Sequence, residues 1–408
     1  MPQTVMPIPN VSVGRLAPSP TGAQHLGNAR TFLIAWLSAR ATGGRVVLRV
    51  EDIDSPRVKV WATDQAMDDL RWLGLDWDEG PDVGGPHGPY LQTQRTAGYA
   101  AALDRLIGQG LAYPCTCTRA DVESAASAPH ERPHQTAPAF GSPFLREGPV
   151  YSGRCRGWRF GDRLPAEGTY CWRFRMPDRD LEVDDRVHGA LRLNPRKLLG
   201  DFPLTRKSGQ VAYQLAVVVD DAAMGITEIV RGDDLLPSVF RQLPLIESLG
   251  HRVPVYAHVP LVVGVDGRRL AKRHGDTRLA QFRELGVAPQ QIIGWAAHSI
   301  GLIDSAEPVE PRELIECFAW RRTRREPSVW DPGSGFQVDG DAANHARDQV
   351  VEGGKNQAAQ ETGDPVKQGR KQQGPQSHAD GRGDRDVTAG HGADQRNEEE
   401  SQPEQQPD

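Results

Sequence analysis

The most constraining feature of this chain is its opening unit. Gly14-Arg15-Leu16-Ala17 runs into the Pro/Gly turn Pro18-Ser19-Pro20-Thr21-Gly22. Leu26, Phe32, Leu33, Trp36 and Leu37 then recur with the 3.6-residue period of a helix, and Gly43-Gly44 stop it before the strand-like run Arg45–Val50. Strand, turn, helix, strand in that order is the first step of a parallel α/β sheet, because a parallel pair needs a crossover helix. Further helices are expected across 62–73, 97–107 and 240–249, and strands across 170–176, 213–219 and 227–230. The alternation predicts a doubly wound sheet with an inserted module.

Composition changes abruptly after Trp330. Residues 331–408 hold 8 Lys+Arg against 16 Asp+Glu and only one aromatic residue, Phe336. Such a segment cannot bury enough apolar surface to offset the entropy of ordering, so a disordered polar tail is expected. The chain has 48 Lys+Arg and 54 Asp+Glu in total. Residues 1–330 therefore carry 40 and 38, which excludes a generally cationic nucleic-acid coat and leaves room only for a local patch. No run approaches the ~18 apolar residues of a membrane span, and Met1–Asn10 lacks a basic patch followed by an apolar run. A cytoplasmic protein with no membrane partner is expected.

Five cysteines in 408 residues make no disulfide framework. Three of them, Cys115, Cys117 and Cys155, stand close together in sequence and point to metal. Three thiolates suit Zn²⁺, and by residue type the fourth ligand could be His130, His134 or Cys171.

Two further patterns carry chemistry. His25-Leu26-Gly27-Asn28 sits where a strand turns into a helix. Helix N-termini present unpaired N–H groups to phosphate, and a glycine there admits a flat base. Arg268-Arg269-Leu270-Ala271-Lys272-Arg273 follows a strand and the turn Asp266-Gly267, so Lys272 could reach a triphosphate and stabilise charge as pyrophosphate leaves.

Together these two segments resemble the signatures written HIGH and KMSKS in class I aminoacyl-tRNA synthetases. The runs at 15–22, 49–54, 72–77 and 230–235 resemble the glutamyl branch of that family. Within it, the Cys115-Thr-Cys117 and Tyr151-Ser-Gly-Arg-Cys155 pair, together with the runs 213–221 and 225–232, is similar to the short paralogues that glutamylate queuosine in tRNA(Asp), the glutamyl-Q tRNA(Asp) synthetase family. About 57 residues lie between the Lys272 loop and the polar tail. That is too few for the anticodon-binding domains of a conventional glutamyl-tRNA synthetase.

The resemblance implies a Rossmann-type catalytic domain split into residues 11–113 and 201–330, an inserted zinc-bearing module at 114–200, and a tail at 331–408. It implies ATP-dependent, tRNA-independent activation of L-glutamate to glutamyl-adenylate, then transfer to the cyclopentene-diol of queuosine at the wobble position of tRNA(Asp). Arg15, Ser19, Glu51, Tyr213 and Arg231 would bind glutamate. His25, Gly27, Asn28 and Lys272 would bind ATP with its Mg²⁺, and His25 and Lys272 would also serve the chemistry. Cys115, Cys117, Tyr151 and Cys155 would hold one structural Zn²⁺, and the enzyme would be a monomer. Ala271 stands where the family has serine, Arg269 where it has lysine, and Asn28 where the wider class has a second histidine. Alternatives are a truncated glutamyl-tRNA synthetase charging the 3′ end, or a silent relative that binds glutamate or its adenylate.

Overall fold

The computed structural model describes residues 11–20, 23–53, 60–127, 149–270 and 276–336. In chain order the elements are β1 (Val13–Leu16), α1 (Leu26–Ala41), β2 (Arg45–Leu48), α2 (Val60–Trp72), α3 (Thr96–Gly108), β3 (Ala112–Cys115) and α4 (Arg119–Ser127). Next come β4 (Cys171–Phe174), β5 (Leu181–Asp185), β6 (Gly189–Leu193), α5 (Pro195–Leu198), β7 (Phe202–Pro203) and α6 (Tyr213–Ala223). The chain continues through β8 (Glu228–Gly232), α7 (Leu236–Ser248), β9 (Val255–Val259), β10 (Val262–Gly264), α8 (Leu279–Glu284), α9 (Pro289–Ser299) and β11 (Ser328–Trp330).

β1 and β2 pair in parallel with Val13 opposite Arg45, and β8 and β9 pair in parallel with Glu228 opposite Val255. β1 runs beside β8, where Thr227 donates its N–H to Val13 O at 2.9 Å. This is an α/β architecture with parallel pairing at its centre, as the opening unit predicts. Helix α1 crosses it. Leu26, Leu33, Ile34, Trp36, Leu37 and Ala39 are all buried, and the helix stops at Gly43, whose φ of 66° suits glycine. Gly44 is required by space, since a Cβ there would stand 2.1 Å from Ser12 O.

The segment between the two parallel pairs forms an antiparallel sheet of β3, β4 and β7, and the hairpin β5–β6. β5 rejoins the parallel strands through one bridge, Asp185 opposite Tyr256 of β9.

One element differs from expectation. Residues 213–219, expected as a strand from their valine run, begin helix α6. Their burial follows a helical face, because Leu215, Ala216 and Val218 pack with α3 and α7 while Asp220 and Asp221 turn inward to buried arginines. Tertiary context overrides the β preference of Val217, Val218 and Val219.

Ordered packing also continues past the compositional change. Phe336 lies 5.1 Å from Phe282 and 5.3 Å from Trp330, ring centre to ring centre, so apolar contact extends into the segment expected to be a tail. Residues 337–408 lie outside the described residues, as do His130 and His134 of the insertion.

Arg30, buried in α1, ties that helix to the C-terminal part of the body. It donates to Ser299 Oγ at 2.9 Å, Pro260 O at 2.5 Å and Ser328 Oγ at 3.2 Å. Among the described residues no helix is long and apolar enough to cross a membrane.

Candidate active site and metal centre

Four of the five residues expected to bind glutamate converge from separate elements. Arg15 lies on β1, Glu51 just beyond β2, Tyr213 opens α6, and Arg231 lies on β8. Arg15 is buried and donates to Val230 O at 2.8 Å. Glu51 donates its backbone N–H to Pro18 O at 2.9 Å, which joins the exits of β1 and β2. Burial pushes the Tyr213 hydroxyl up from its ordinary value, with Arg231, Glu51, Arg15 and Asp221 as its charged neighbours. Ser19, at the same strand exit, is exposed, and among the described residues no hydrogen bond ties it to the cluster.

The electrostatics are set by a buried carboxylate network that sequence reading did not single out. Arg49 is fully buried. It donates to Asp221 Oδ1 at 2.6 Å and to Glu51 Oε1 at 3.0 Å, and its Nε is 3.8 Å from Asp220 Oδ2. Burial opposes its charge, but Asp221, Glu51 and Asp220 outweigh burial and raise its pKa well above the usual value. Asp220 also accepts from Arg95 Nε at 2.6 Å, Gln92 Nε2 at 2.9 Å and the Tyr99 hydroxyl at 2.9 Å. Asp221 is 3.7 Å from Arg15 Nε. Burial pushes the Glu51 carboxyl up from its ordinary value while Arg49 and then Arg15 pull it back.

The excess capacity for anions lies on the arginines. Arg231 donates through Nε to His258 Nε2 at 3.0 Å, while its buried Nη1 and Nη2 have no hydrogen-bond partner among the described residues. Leaving such donors unpaired is costly, so the arrangement is complementary to a carboxylate, which a planar guanidinium grips with two parallel bonds. Beside it stand Glu51, an anion suited to an ammonium, and the Tyr213 hydroxyl. These groups are complementary to an amino acid with a second carboxylate.

The nucleotide end lies at the start of α1. His25 is the helix N-cap and its Nδ1 accepts from Gly27 N at 3.1 Å, so Nε2 carries the proton of the neutral ring. Burial first, and Arg269 second, hold its pKa down to about 4. At neutral pH His25 is an uncharged donor. A Cβ on Gly27 would lie 3.1 Å from the imidazole, so this glycine makes room for the ring as well as for any base. Asn28 donates to Gln24 Oε1 at 2.8 Å.

Lys272, with residues 271–275, lies outside the described residues, but both flanks of its loop are placed. Arg269 bridges Val263 in antiparallel fashion and pairs with Asp234 at 2.8 Å. On the other side Arg278 bridges His25, with Leu26 N–H donating to Thr277 O at 2.9 Å. The two segments matched to the class I signatures are therefore neighbours in space.

The sulfurs of Cys115, Cys117 and Cys155 all lie within 4.8 Å of one another, and Cys117 Sγ is 3.7 Å from Cys155 Sγ. The Tyr151 hydroxyl oxygen is 3.4 Å from Cys115 Sγ and 3.8 Å from Cys117 Sγ, and it accepts from Cys155 N–H at 2.8 Å. A tetrahedral Zn²⁺ at about 2.3 Å from sulfur would space two sulfurs by about 3.8 Å and a sulfur and an oxygen by about 3.5 Å. The Cys117–Cys155 spacing and the distances of the phenol oxygen from Cys115 and Cys117 fit that demand. Cys171 faces Cys115 across the β3–β4 pair but does not belong to the three-sulfur group. Arg173 adds support, its guanidinium 4.0 Å above the Tyr151 ring and bonded to Asp201 O at 2.9 Å.

Comparison with known proteins agrees with this geometry. Residues 11–331 match the family described as class I tRNA synthetases (E and Q), catalytic domain. A glutamyl-Q tRNA(Asp) synthetase from Rhodopirellula baltica is 54% identical over 333 residues, covering 78% of this chain and 97% of the relative. One from Symbiobacterium thermophilum is 50% identical over 317 residues, 77% of this chain and 94% of the relative. A glutamate–tRNA ligase from a Sulfurihydrogenibium species is 36% identical over 326 residues, 78% of this chain but 64% of the ligase. Among solved structures, the glutamate-tRNA synthetase of Elizabethkingia anophelis superposes with a TM-score of 0.66 at 28% identity, covering 86% of this chain and 72% of that one. With residues 11–331 matched to the family and relatives 50–54% identical over nearly their whole length, the chain belongs to the class I tRNA synthetases of the glutamyl and glutaminyl branch.

Proposed function

We propose that this protein activates L-glutamate with ATP, without needing tRNA for that step, and transfers the glutamyl group to the cyclopentene-diol of queuosine in the wobble position of tRNA(Asp). The observation that carries this reading is the span of the match. The chain covers 94–97% of relatives named glutamyl-Q tRNA(Asp) synthetase at 50–54% identity, but only about two-thirds of a glutamate–tRNA ligase.

Arg231, with Arg15 behind it, grips the side-chain carboxylate of glutamate. Glu51 and Ser19 hold its ammonium, and the Tyr213 hydroxyl supplies a further hydrogen bond. The α-carboxylate oxygen then attacks the α-phosphorus of ATP, and the bond from that phosphorus to the α,β-bridging oxygen breaks to release pyrophosphate. Neutral His25 donates through Nε2–H to a phosphate oxygen, Gly27 and Asn28 seat the nucleotide, and Lys272 takes up charge on the leaving pyrophosphate. Mg²⁺ enters with ATP as part of the substrate. In the second step a hydroxyl oxygen of the queuosine diol attacks the glutamyl carbonyl carbon, AMP leaves, and the hydroxyl proton is lost. An anticodon-loop base can be unstacked into a pocket, which suits a compact catalytic body.

In this reading residues 11–113 and 201–330 are the two halves of a Rossmann-type catalytic domain around the module 114–200. Cys115, Cys117, Tyr151 and Cys155 hold one Zn²⁺ in that module. Four protein ligands leave no open position, so the ion pins structure. Serine in place of Cys115 is expected to reduce bound zinc and loosen the module, read as metal content and as faster proteolysis within 114–200; full zinc occupancy in Cys115→Ser would remove that ligand. In this reading the enzyme acts as a monomer in the cytoplasm.

The test is transfer of radiolabelled glutamate to bulk tRNA from cells able and unable to make queuosine, with the label mapped by nuclease digestion. Label in the anticodon loop, dependent on queuosine, is the expected result. Label at the 3′ end irrespective of queuosine would instead make the protein a tRNA-charging synthetase, and no label would favour a silent glutamate binder.

A further inference from the structure

Behind the proposed glutamate pocket lies a buried row of three side chains from three strands. Asp185 ends β5 in the inserted segment, His258 lies on β9, and Arg231 lies on β8. Asp185 Oδ2 is 2.7 Å from His258 Nδ1, and His258 Nε2 is 3.0 Å from Arg231 Nε. The guanidinium can only donate, so Nε2 accepts. The single proton of the neutral ring is then on Nδ1 and is donated to Asp185. Burial favours that neutral ring and holds its pKa down to about 4, against the pull of Asp185. Asp185 is itself fixed by the backbone N–H groups of Val187 at 3.0 Å, His188 at 3.0 Å and His258 at 3.1 Å. The Arg231 guanidinium also sits 5.6 Å from the Tyr256 ring, which stacks on the His258 imidazole at 6.0 Å.

An arginine can present a carboxylate with either its Nε side or its two terminal nitrogens. Here His258 occupies the Nε side, while Nη1 and Nη2 are the atoms left without partners. We infer that Asp185 and His258 form a positioning relay that locks Arg231 into one rotamer and presents its terminal nitrogens end-on, as a preset fork for the substrate carboxylate. Neither residue touches substrate; both act through Arg231. Fixing a long side chain before binding removes an entropy cost that the ligand would otherwise meet. The relay crosses from the inserted segment to the parallel strands, joined at the Asp185–Tyr256 bridge, so the module helps to shape the amino-acid pocket.

The inference rests on Arg231 gripping glutamate, and the experiment separates the two. In ATP–pyrophosphate exchange, Arg231→Lys should raise the KM for glutamate at least 30-fold with the KM for ATP within twofold. An unchanged glutamate KM would overturn the pocket reading and the relay with it. His258→Leu, which removes both contacts, should raise the glutamate KM about tenfold with the ATP KM unchanged. His258→Gln, whose side-chain oxygen can still accept from Arg231, should recover to within about threefold of the parent. In the Arg231→Lys background, His258→Leu should add less than twofold. A glutamate KM unchanged in His258→Leu, or both KM values rising together in both variants, would overturn the relay while leaving the Arg231 result standing. Should His258→Leu not fold, ¹⁵N spectra of the parent protein decide. A His258 resonance protonated at Nδ1 and bare at Nε2 is expected, and protonation at Nε2 would sink the proposal.

Discussion

Replacing Lys272 by alanine is expected to cut ATP–pyrophosphate exchange by about 10²–10³-fold, equivalent to about 2.7–4 kcal/mol of lost transition-state stabilisation. The effect should be this large because the lysine would meet charge that develops only as pyrophosphate departs, with nothing to gain in the ground state. Both flanks of its loop are anchored independently of the lysine. Arg269 pairs with Asp234 and bridges Val263, while Arg278 bridges His25. Lys272→Ala should therefore leave the thermal midpoint unchanged, and the glutamate KM should move little. Exchange at the parent rate would remove Lys272 from the chemistry and leave neutral His25 as the phosphate donor to test next.

Replacing Arg49 by methionine is expected to act on the fold. The substitution keeps most of the volume but withdraws the cation that three acidic groups share. Asp221 loses its 2.6 Å partner, Glu51 its 3.0 Å partner, and Asp220 a charge 3.8 Å away. Leaving carboxylates buried without compensation costs about 3–5 kcal/mol, and Asp220 retains relief from Arg95 while Asp221 keeps, among the described residues, the more distant Arg15. Urea unfolding should report a loss in that range. Surviving folded protein should also bind glutamate more weakly, because Glu51 is no longer held. A stability within about 1 kcal/mol of the parent would mean that the network is solvated or protonated in the folded state.

Much of this could be read from the chain. The opening strand–turn–helix–strand unit is short-range and strongly patterned, and it folds as its periodicity says. The cysteine trio carries its chemistry in its residue types, and the structure gathers its three sulfurs within 4.8 Å of one another. Arg15, Glu51, Tyr213 and Arg231 were found through the resemblance, and the structure brings all four together. Other parts were hidden for physical reasons. The valine run of residues 217–219 signals a strand, and taking it as one obscures that Tyr213, Val217, Asp220 and Asp221 share a helical face, at spacings of four, seven and eight residues. Arg49 meets Asp221 across 172 positions and Asp185 meets His258 across 73, distances over which one sequence offers no pairing signal. Asp185 in particular sits in an ordinary acidic hairpin. Only the bridge to β9 reveals its partner.

The reach of Arg30 and Phe336 fixes where the folding unit may be cut. Arg30 takes one of its three acceptors from Ser328, and Phe336 closes an aromatic cluster with Phe282 and Trp330. A chain shortened after Phe336 keeps every contact described for the catalytic body. One shortened after Glu326 would take Trp330 from the aromatic cluster and leave the buried Arg30 guanidinium one acceptor short. Activity assays with and without residues 337–408 would therefore compare two proteins that share every one of these contacts.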